Sequence, residues 1–290
     1  MKLQKSFHNQ LTGTLYLVAT PIGNLEDMTF RAIRTLKEVD LIAAEDTRQT
    51  RKLMNHYEIS TRLISYHEHN KHGSGPEIIR MLLEGQSVAI VSDAGLPAIS
   101  DPGYDLVVLA VEQQIAVVPV PGANAALSAL IISGLPTESF HFVGFLPRER
   151  KTIHEQLDQV KTLKGSLLFY ESPHRVHKTL TFMQDKLGDR RIALVRELTK
   201  RYEEAMRGTI SECIAYLEEH PAQGEYCIVV EGSQGSGALQ EEGKWWTELT
   251  EEEHVTYYEG QSHSRKDAIK LAALDRKIPK RELYNSLLTK

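Results

Sequence analysis

Carboxylates stand where short apolar runs give out. Leu41-Ile42-Ala43-Ala44 runs directly into Glu45-Asp46-Thr47-Arg48. Ser87-Val88-Ala89-Ile90-Val91 runs into Ser92-Asp93-Ala94-Gly95-Leu96-Pro97-Ala98-Ile99-Ser100-Asp101-Pro102-Gly103. Adjacent acids at a strand's carboxyl end can take a proton from a substrate hydroxyl or bind a polar ligand. One of Asp46 and Thr47 also suits the N-cap of a following helix. Asp93 lies in a loop poor in side chains, where its carboxylate can accept bonds from a cationic amine or a ribose hydroxyl. Asp-Ala-Gly also makes a tight turn by itself, and Asp101 also suits an N-cap.

A third apolar run, Leu15-Tyr16-Leu17-Val18-Ala19, opens into Thr20-Pro21-Ile22-Gly23-Asn24. None of these loops carries the lysine and serine/threonine of a P-loop, or G-x-G-x-x-G. The ligand is therefore expected to be held by backbone groups and one carboxylate, and need not be a polyphosphate. Tyr170-Glu171-Ser172-Pro173-His174-Arg175 repeats the strand-to-loop-to-helix pattern in the second half, and Arg196-Glu197-Leu198-Thr199-Lys200-Arg201 sets cations beside an acid, as phosphate gripping requires. His67-Glu68-His69 with His72 lacks cysteine and the H-E-x-x-H spacing, so no metal site is expected there. The order of residues shows no Ser-His-Asp grouping.

The elements that must position these groups follow from the hydropathy pattern. Strands are expected at 15–19, 41–45, 61–65, 87–92 and 115–120, with helices near 28–38, 47–56, 75–84 and 103–113. That alternation implies βαβ units and a mainly parallel sheet, whose carboxyl edge is the usual ligand edge. Val120-Pro121-Gly122-Ala123-Asn124 leads into a buried helix over 125–132, ended by Gly134. After Phe140 the pattern changes: strands at 140–145, 166–170, 191–197, 201–207 and 225–231 alternate with helices near 151–163, 174–187 and 209–219. Two strands in succession without a helix predict a mixed sheet in a second α/β domain.

At 290 residues, 41% apolar and 25% charged, the chain has the make-up of a soluble globular protein with room for two cores. No apolar run approaches a membrane span, and the first ten residues lack the apolar stretch of a signal peptide. Cys213 and Cys227 make no metal-type spacing, which favours a reducing, cytoplasmic setting. The net charge of −5 argues against general nucleic-acid affinity, but it is unevenly spread. Residues 264–290 hold eight Lys/Arg against three Asp/Glu, a local +5 that leaves −10 for the remainder. Residues 231–253 hold seven glutamates and one lysine. Ser264 is placed to cap a helix whose apolar face is Ala268, Ile269, Leu271, Ala272 and Leu274, and Pro279 to open a second. Studded with Arg265, Lys266, Lys270, Lys277, Lys280 and Arg281, this reads as a basic helix-turn-helix-like module for nucleic acid, with a solvated helical hairpin packing on the body or on a partner subunit as the alternative. The boundaries expected are a tail over 1–12, α/β domains over 13–121 and 122–232, an acidic linker with a glycine-rich flexible start over 233–260, and the basic module over 261–290.

Six of these segments (17–27, 43–48, 92–103, 120–125, 170–175 and 196–200) together resemble the ribosomal RNA small subunit methyltransferase I family, of the tetrapyrrole methylase-like superfamily. The resemblance runs from about Leu11 to the basic tail. It implies two α/β domains with the cofactor site in the cleft between them, plus a small C-terminal helical module. The activity implied is S-adenosylmethionine-dependent 2′-O-methylation of a cytidine ribose in the decoding region of 16S rRNA, by a homodimer and without a metal. Pro21 and Ile22 would line the cofactor pocket, Asp93, Gly95 and Leu96 would hold the methionine part, and Ser100, Pro121, Ala123, Asn124 and Tyr170 would surround sugar and adenine.

A sulfonium is already an activated methyl donor, so the protein has mainly to align acceptor with donor and exclude water. A ribose hydroxyl is a poor acid, so a base or a cation beside the nascent alkoxide is needed. Glu45, Asp46, Arg48 and Lys200 are the first candidates, with Asp101 and Glu171 beside them. Two other readings fit the same residues: a small-molecule methylase of the tetrapyrrole type, and a non-catalytic RNA-binding assembly factor.

Overall fold

The computed structural model describes residues 3–4, 11–234, 246, 249–261, 263–276 and 278–288. Most of the expected N-terminal tail and of the glycine-rich stretch, with Lys277, lies outside them. Contacts divide the chain into two units, Met1–Ser233 and Gln234–Lys290.

The first unit holds two five-stranded sheets. In the first, β1 (Thr14–Val18), β2 (Leu41–Ala44), β3 (Leu63–Ser65), β4 (Val88–Val91) and β5 (Ala116–Val120) run in the order β3-β2-β4-β1-β5, all parallel. Residue alternation along β2 shows why the layers form. Leu41 and Ala43 pack with α3 (Lys71–Leu83) and α4 (Tyr104–Glu112), while Ile42 and Ala44 pack with α1 (Phe30–Glu38) and α2 (Thr47–His56). Successive strand side chains point to opposite faces, so an unbroken apolar strand demands helices on both.

The second sheet is mixed, in the order β6-β7-β10-β8-β9, from β6 (Phe140–Phe145), β7 (Ser166–Glu171), β8 (Arg191–Arg196), β9 (Glu204–Thr209) and β10 (Tyr226–Val230). Only β6 and β7 pair in parallel. Its alternation is equally clean. Ile192, Leu194, Ile228 and Val230 join α6 (Arg150–Val160), α7 (Val176–Leu187) and α8 (Ile210–Glu219) in one core, while Ala193, Val195, Cys227 and Val229 face α5 (Ala125–Ser133). Gly134 ends α5 in the left-handed conformation at φ 75°, as a C-terminal glycine does.

Two local expectations are corrected. The strand expected at 201–207 begins only at Glu204: Glu197 and Thr199 take positive φ, and the Glu203 carboxylate accepts the Thr199 N–H at 2.6 Å, closing a turn before the strand. The acidic segment expected to be linker up to residue 260 carries α9 (Glu251–Gly260). Thr250 and Glu253 form a reciprocal capping box, and Glu251, Glu252 and Glu253 occupy the first turn, where acids suit the helix dipole.

The second unit is therefore three helices among the described residues: α9, α10 (Arg265–Arg276) and α11 (Lys280–Leu288). Val255, Ala268, Ile269, Ala272, Ala273 and Leu283 are its core. Fully buried His254 lies in that unit between Trp246 and Tyr258, with near-parallel rings. Its Nδ1 accepts from Arg276 Nε at 3.1 Å and its Nε2–H donates to Asp275 at 3.1 Å, which fixes a neutral tautomer. Burial lowers its pKa below the usual histidine value. The unfolded chain then binds a proton that the folded unit refuses, so stability is complete above about pH 6.5 and declines as the pH falls. The chain's two tryptophans, Trp245 and Trp246, make fluorescence a reporter of this unit. Its thermal midpoint by that signal is expected to fall between pH 7.5 and 5.5 in the wild type and to move much less in His254→Phe. Equal pH dependence in both would refute the assignment.

Candidate active site

The loop after β4 is built on backbone that few residues adopt. Gly95 and Gly103 lie at φ 77° and 140°, and Ala98 and Ser100, which are not glycines, at 67° and 62°. Left-handed alanine and serine cost of order 1–3 kcal/mol each and persist only where surroundings enforce them, typically around ligands. Here Thr20 enforces the fold of the loop. It exchanges two backbone bonds with Gly95, at 2.9 and 3.0 Å, and its hydroxyl donates to the Ser92 carbonyl at 3.1 Å. The loops after β1 and β4 thereby become one surface. A Cβ on Gly103 would stand 3.2 Å from Ala98 and Ile90, so this glycine lets the returning chain close.

The acids gather at that edge. Asp93 accepts the Asp46 N–H on Oδ1 at 3.1 Å, joining the β2 and β4 loops. Asp46 caps α2 through the Arg48 N–H at 2.8 Å and grips the Arg48 guanidinium at 2.7 to 3.2 Å, which holds its carboxyl at about 2. Its neighbours shift the other way. Burial, then the charge of Asp93, raises Glu45, and burial also raises Asp93. Asp101 moves furthest, to about 7, through burial first and then the charges of Glu45 and Asp93. One partly buried acid here thus keeps its proton until neutral pH.

The second sheet supplies the opposite wall. The Tyr170 hydroxyl accepts the Ala126 N–H at 3.2 Å, at the start of α5, and its ring meets Phe142 and Phe145 at 5.1 and 5.5 Å. Burial raises it to about 12, so it stays a neutral phenol. Asn124 caps α5 through the Leu127 N–H at 2.8 Å. Lys200 is held between Glu197 and Glu225, at 2.9 Å each, which outweighs its burial and keeps it cationic. Its stem crosses the first loop: a Cβ on Gly23 would lie 2.4 Å from the Lys200 Cγ. Glu171, which also lines the cavity between these walls, is 2% exposed; it accepts the Ser172 N–H at 2.8 Å and the Thr179 hydroxyl at 2.7 Å and lies 3.5 Å from the Arg175 guanidinium.

Between these walls is a cavity of about 490 Å³. Ile22, Asp93, Gly95, Leu96, Ser100, Asn124 and Tyr170 line it, with Asp101 and Lys200. Pro21, Pro121 and Ala123 are not among its lining residues, although the Ala123 carbonyl lies just behind Gly95. Glu45, Asp46 and Arg48 are likewise absent from the wall and act on it through Asp93 and Asp101. The sequence reading missed Phe145, Val195 and Cys227, which supply apolar wall from the second sheet, and Leu198, which supplies it from the turn after β8. Only alternation along those strands hinted at the first three. Mostly apolar lining, a few convergent polar groups and this volume are the marks of a small-molecule or cofactor pocket.

In the second unit Arg265, Lys266 and Lys280 border a groove of about 510 Å³ with Ile269, Tyr284 and Leu287. Lys270 and Arg281 are not part of its wall. Arg265 is tied to Glu252 and Glu259 at 2.9 and 3.3 Å, so its charge is already largely answered.

Comparison with known proteins agrees with this architecture. Residues 14–214 match the family model described as Tetrapyrrole (Corrin/Porphyrin) Methylases. The chain is 56% identical over 286 residues to ribosomal RNA small subunit methyltransferase I of Halalkalibacterium halodurans, covering 98% of each. It is 54% identical to the Bacillus subtilis protein of the same name, covering 99% of this chain and 98% of that one. The solved uroporphyrin-III-C-methyltransferase of Thermus thermophilus shares its fold, with a TM-score of 0.53 at 20% identity over 75% of this chain and 94% of that one. With two sheets, a cavity between them and this similarity over nearly its whole length, the chain belongs to the tetrapyrrole methylase family, in its ribosomal RNA small subunit methyltransferase I group.

Proposed function

We propose that this chain methylates the ribose 2′-hydroxyl of a cytidine in the decoding region of 16S rRNA, with S-adenosylmethionine as donor. The observation that carries the reading is the cavity itself: a side-chain-poor loop with a carboxylate on one wall, an aromatic wall opposite, and an acid poised near neutrality beside them. Its volume and its mixture of apolar and acidic lining fit a nucleoside joined to a cationic amino acid. When bound, that cofactor supplies a methyl group on a sulfonium.

The chain's own residues do the rest. Asp93, with backbone groups of Gly95 and Leu96, grips the amino-acid portion, while Ile22, Ser100, Asn124 and Tyr170 enclose the nucleoside. Pro21, Pro121 and Ala123 shape those loops from behind. Asp101 is the acid best matched to accept the hydroxyl proton, since a base works best with a pKa near the operating pH. Glu45 supports it by raising it. Asp46, tied to Arg48 near 2, is too weak a base and positions α2 and Asp93 instead. Lys200 presents a cation beside the site for phosphate or a nascent alkoxide.

Domains over 13–121 and 122–232 then divide the cavity, and the basic module over 261–290 delivers RNA through Lys266, Lys270, Lys277, Lys280 and Arg281, with Arg265 spent partly on its own glutamates. A cytoplasmic homodimer belongs to the same reading, and buried free thiols at Cys213 and Cys227 suit a reducing compartment. The fold likeness to a porphyrin methylase supports a second reading, a small-molecule acceptor.

The decisive assay is transfer of labelled methyl to small ribosomal subunits lacking the modification, with the product mapped to a nucleotide. A single 2′-O-methyl mark in the decoding region is expected. No incorporation into subunits or free RNA, with cofactor binding demonstrated, would overturn the proposal in favour of a small-molecule acceptor.

A further inference from the structure

We infer that the outer face of α2 is a second RNA contact surface, which holds the phosphodiester backbone next to the target nucleotide. The inference rests on the RNA reading above and gives it a surface that the basic tail does not.

The helix Thr47–His56 carries Arg48, Arg51 and Lys52 and no acid. Positions 48, 51, 52 and 55 recur at i, i+3, i+4 and i+7, which puts them on one side of a helix. The structure bears this out: Thr47, Arg48, Arg51, Lys52 and Asn55 together border an open groove of about 380 Å³. The opposite side of α2 supplies Thr50 and Met54 to the interior, so the stripe points to solvent.

Two further features separate this face from ordinary solvated charge. The first is that two of its three cations are free of carboxylates, Arg48 alone being tied to Asp46 at 2.7 Å. Among the described residues Arg51 meets none, and the Lys52 ammonium donates only to the neutral Gln49 amide at 3.0 Å. On the other face of the same sheet the cations are already neutralised: Lys71 sits between Glu68 and Asp105, and Arg80 pairs with Glu84. The sheet is thus polarised, with the unanswered charges of Arg51 and Lys52 on the α2 side.

The second feature is position. The α2 N-terminus is anchored to the cavity, because the Asp46 N–H bonds Asp93, a wall residue, and Arg48 is close enough to perturb it. Ten residues at about 1.5 Å each carry the stripe roughly 15 Å away from that mouth. An RNA strand whose ribose enters the cavity must lead its flanking phosphates across the adjoining surface. Arginine, lysine and asparagine side chains are the groups that grip phosphate oxygens, and such contacts position a strand without reading its sequence.

The test compares the wild type with the double variant Arg51→Gln, Lys52→Gln, which leaves Arg48 and the cavity untouched. Lys151→Gln, Lys178→Gln, on helices of the second sheet, is the charge-matched control. Binding to unmodified small subunits and to a 16S rRNA fragment is measured across salt concentration, and S-adenosylmethionine binding is measured in parallel. Each lost phosphate contact lowers the slope of log affinity against log salt by about 0.7 to 0.9. The α2 variant is expected to lose about 1.5 from that slope and roughly tenfold or more in affinity, with cofactor affinity unchanged. The control is expected to behave as the wild type. Wild-type affinity and slope in the α2 variant, in a protein that still methylates RNA, would overturn the inference alone. Failure of the wild type to bind or methylate RNA would overturn the parent reading, and this inference with it.

Discussion

Asp93→Ala is expected to weaken S-adenosylmethionine binding by roughly 10- to 150-fold while leaving the thermal midpoint nearly unchanged. The magnitude is that of one hydrogen bond to a charged group, about 1.5–3 kcal/mol. The small effect on stability follows from position. Asp93 is exposed at the cavity mouth, its carboxyl is raised by burial rather than held down by a partner, and its one backbone bond, to Asp46, lies in a loop. Asp93→Asn separates charge from shape. An asparagine oxygen still accepts the Asp46 N–H, so a residue that merely shaped the turn would bind cofactor normally as Asn. A residue that holds a cationic amine loses affinity in both variants. Calorimetric titration of the three proteins decides it, and normal binding by both variants would remove Asp93 from the ligand's partners.

How far the sequence carried the argument can be judged at individual residues. Glu45, Asp46 and Asp93 were legible because each follows a short apolar strand, and strand ends in a parallel sheet share one edge. That Asp46 and Asp93 would bond each other was not legible, since it depends on β2 lying beside β4, a pairing of strands 47 residues apart. Tyr170 was marked by its loop, but the aromatic wall around it was not. Phe142 and Phe145 reach that ring only because β6 pairs with β7 and carries an irregularity between Phe142 and Gly144. The helix over 251–260 was hidden by composition: seven glutamates in the surrounding stretch read as a solvated spacer, although Thr250 and Glu253 spell a capping box. The free charge of α2 was also invisible, because Arg51 and Lys52 look like any solvated stripe until the pairing of Arg48 with Asp46, and of Lys71 and Arg80 on the opposite face, is known.

The same geometry sets opposite demands on Asp101, and these make the second large prediction. Burial with Glu45 and Asp93 nearby puts its carboxyl at about 7, against 3.8 in an unperturbed chain. The folded protein therefore holds a proton that the unfolded chain has released, so this group's contribution to stability is full at low pH and is lost as the pH rises through 7. As a base, Asp101 needs to be ionised, so methyl transfer under single-turnover conditions should rise with pH through about 7 and then level off. Asp101→Asn is expected to slow transfer by about 10²- to 10⁴-fold, the usual worth of a positioned base, and to abolish that rise. At pH 8 the same variant should melt at a higher temperature than the wild type, because it no longer buries a charge among acids; below pH 4 the difference should vanish. A gain in stability bought with activity is the pattern of a strained functional site, and a structural acid would show the reverse. Asp93→Asn supplies the internal control: removing one of the charges that raise Asp101 should shift the rising limb to lower pH. If Asp101→Asn keeps the wild-type rate and profile, the proton goes elsewhere, and Glu45, a second raised acid at this edge, is the next to replace.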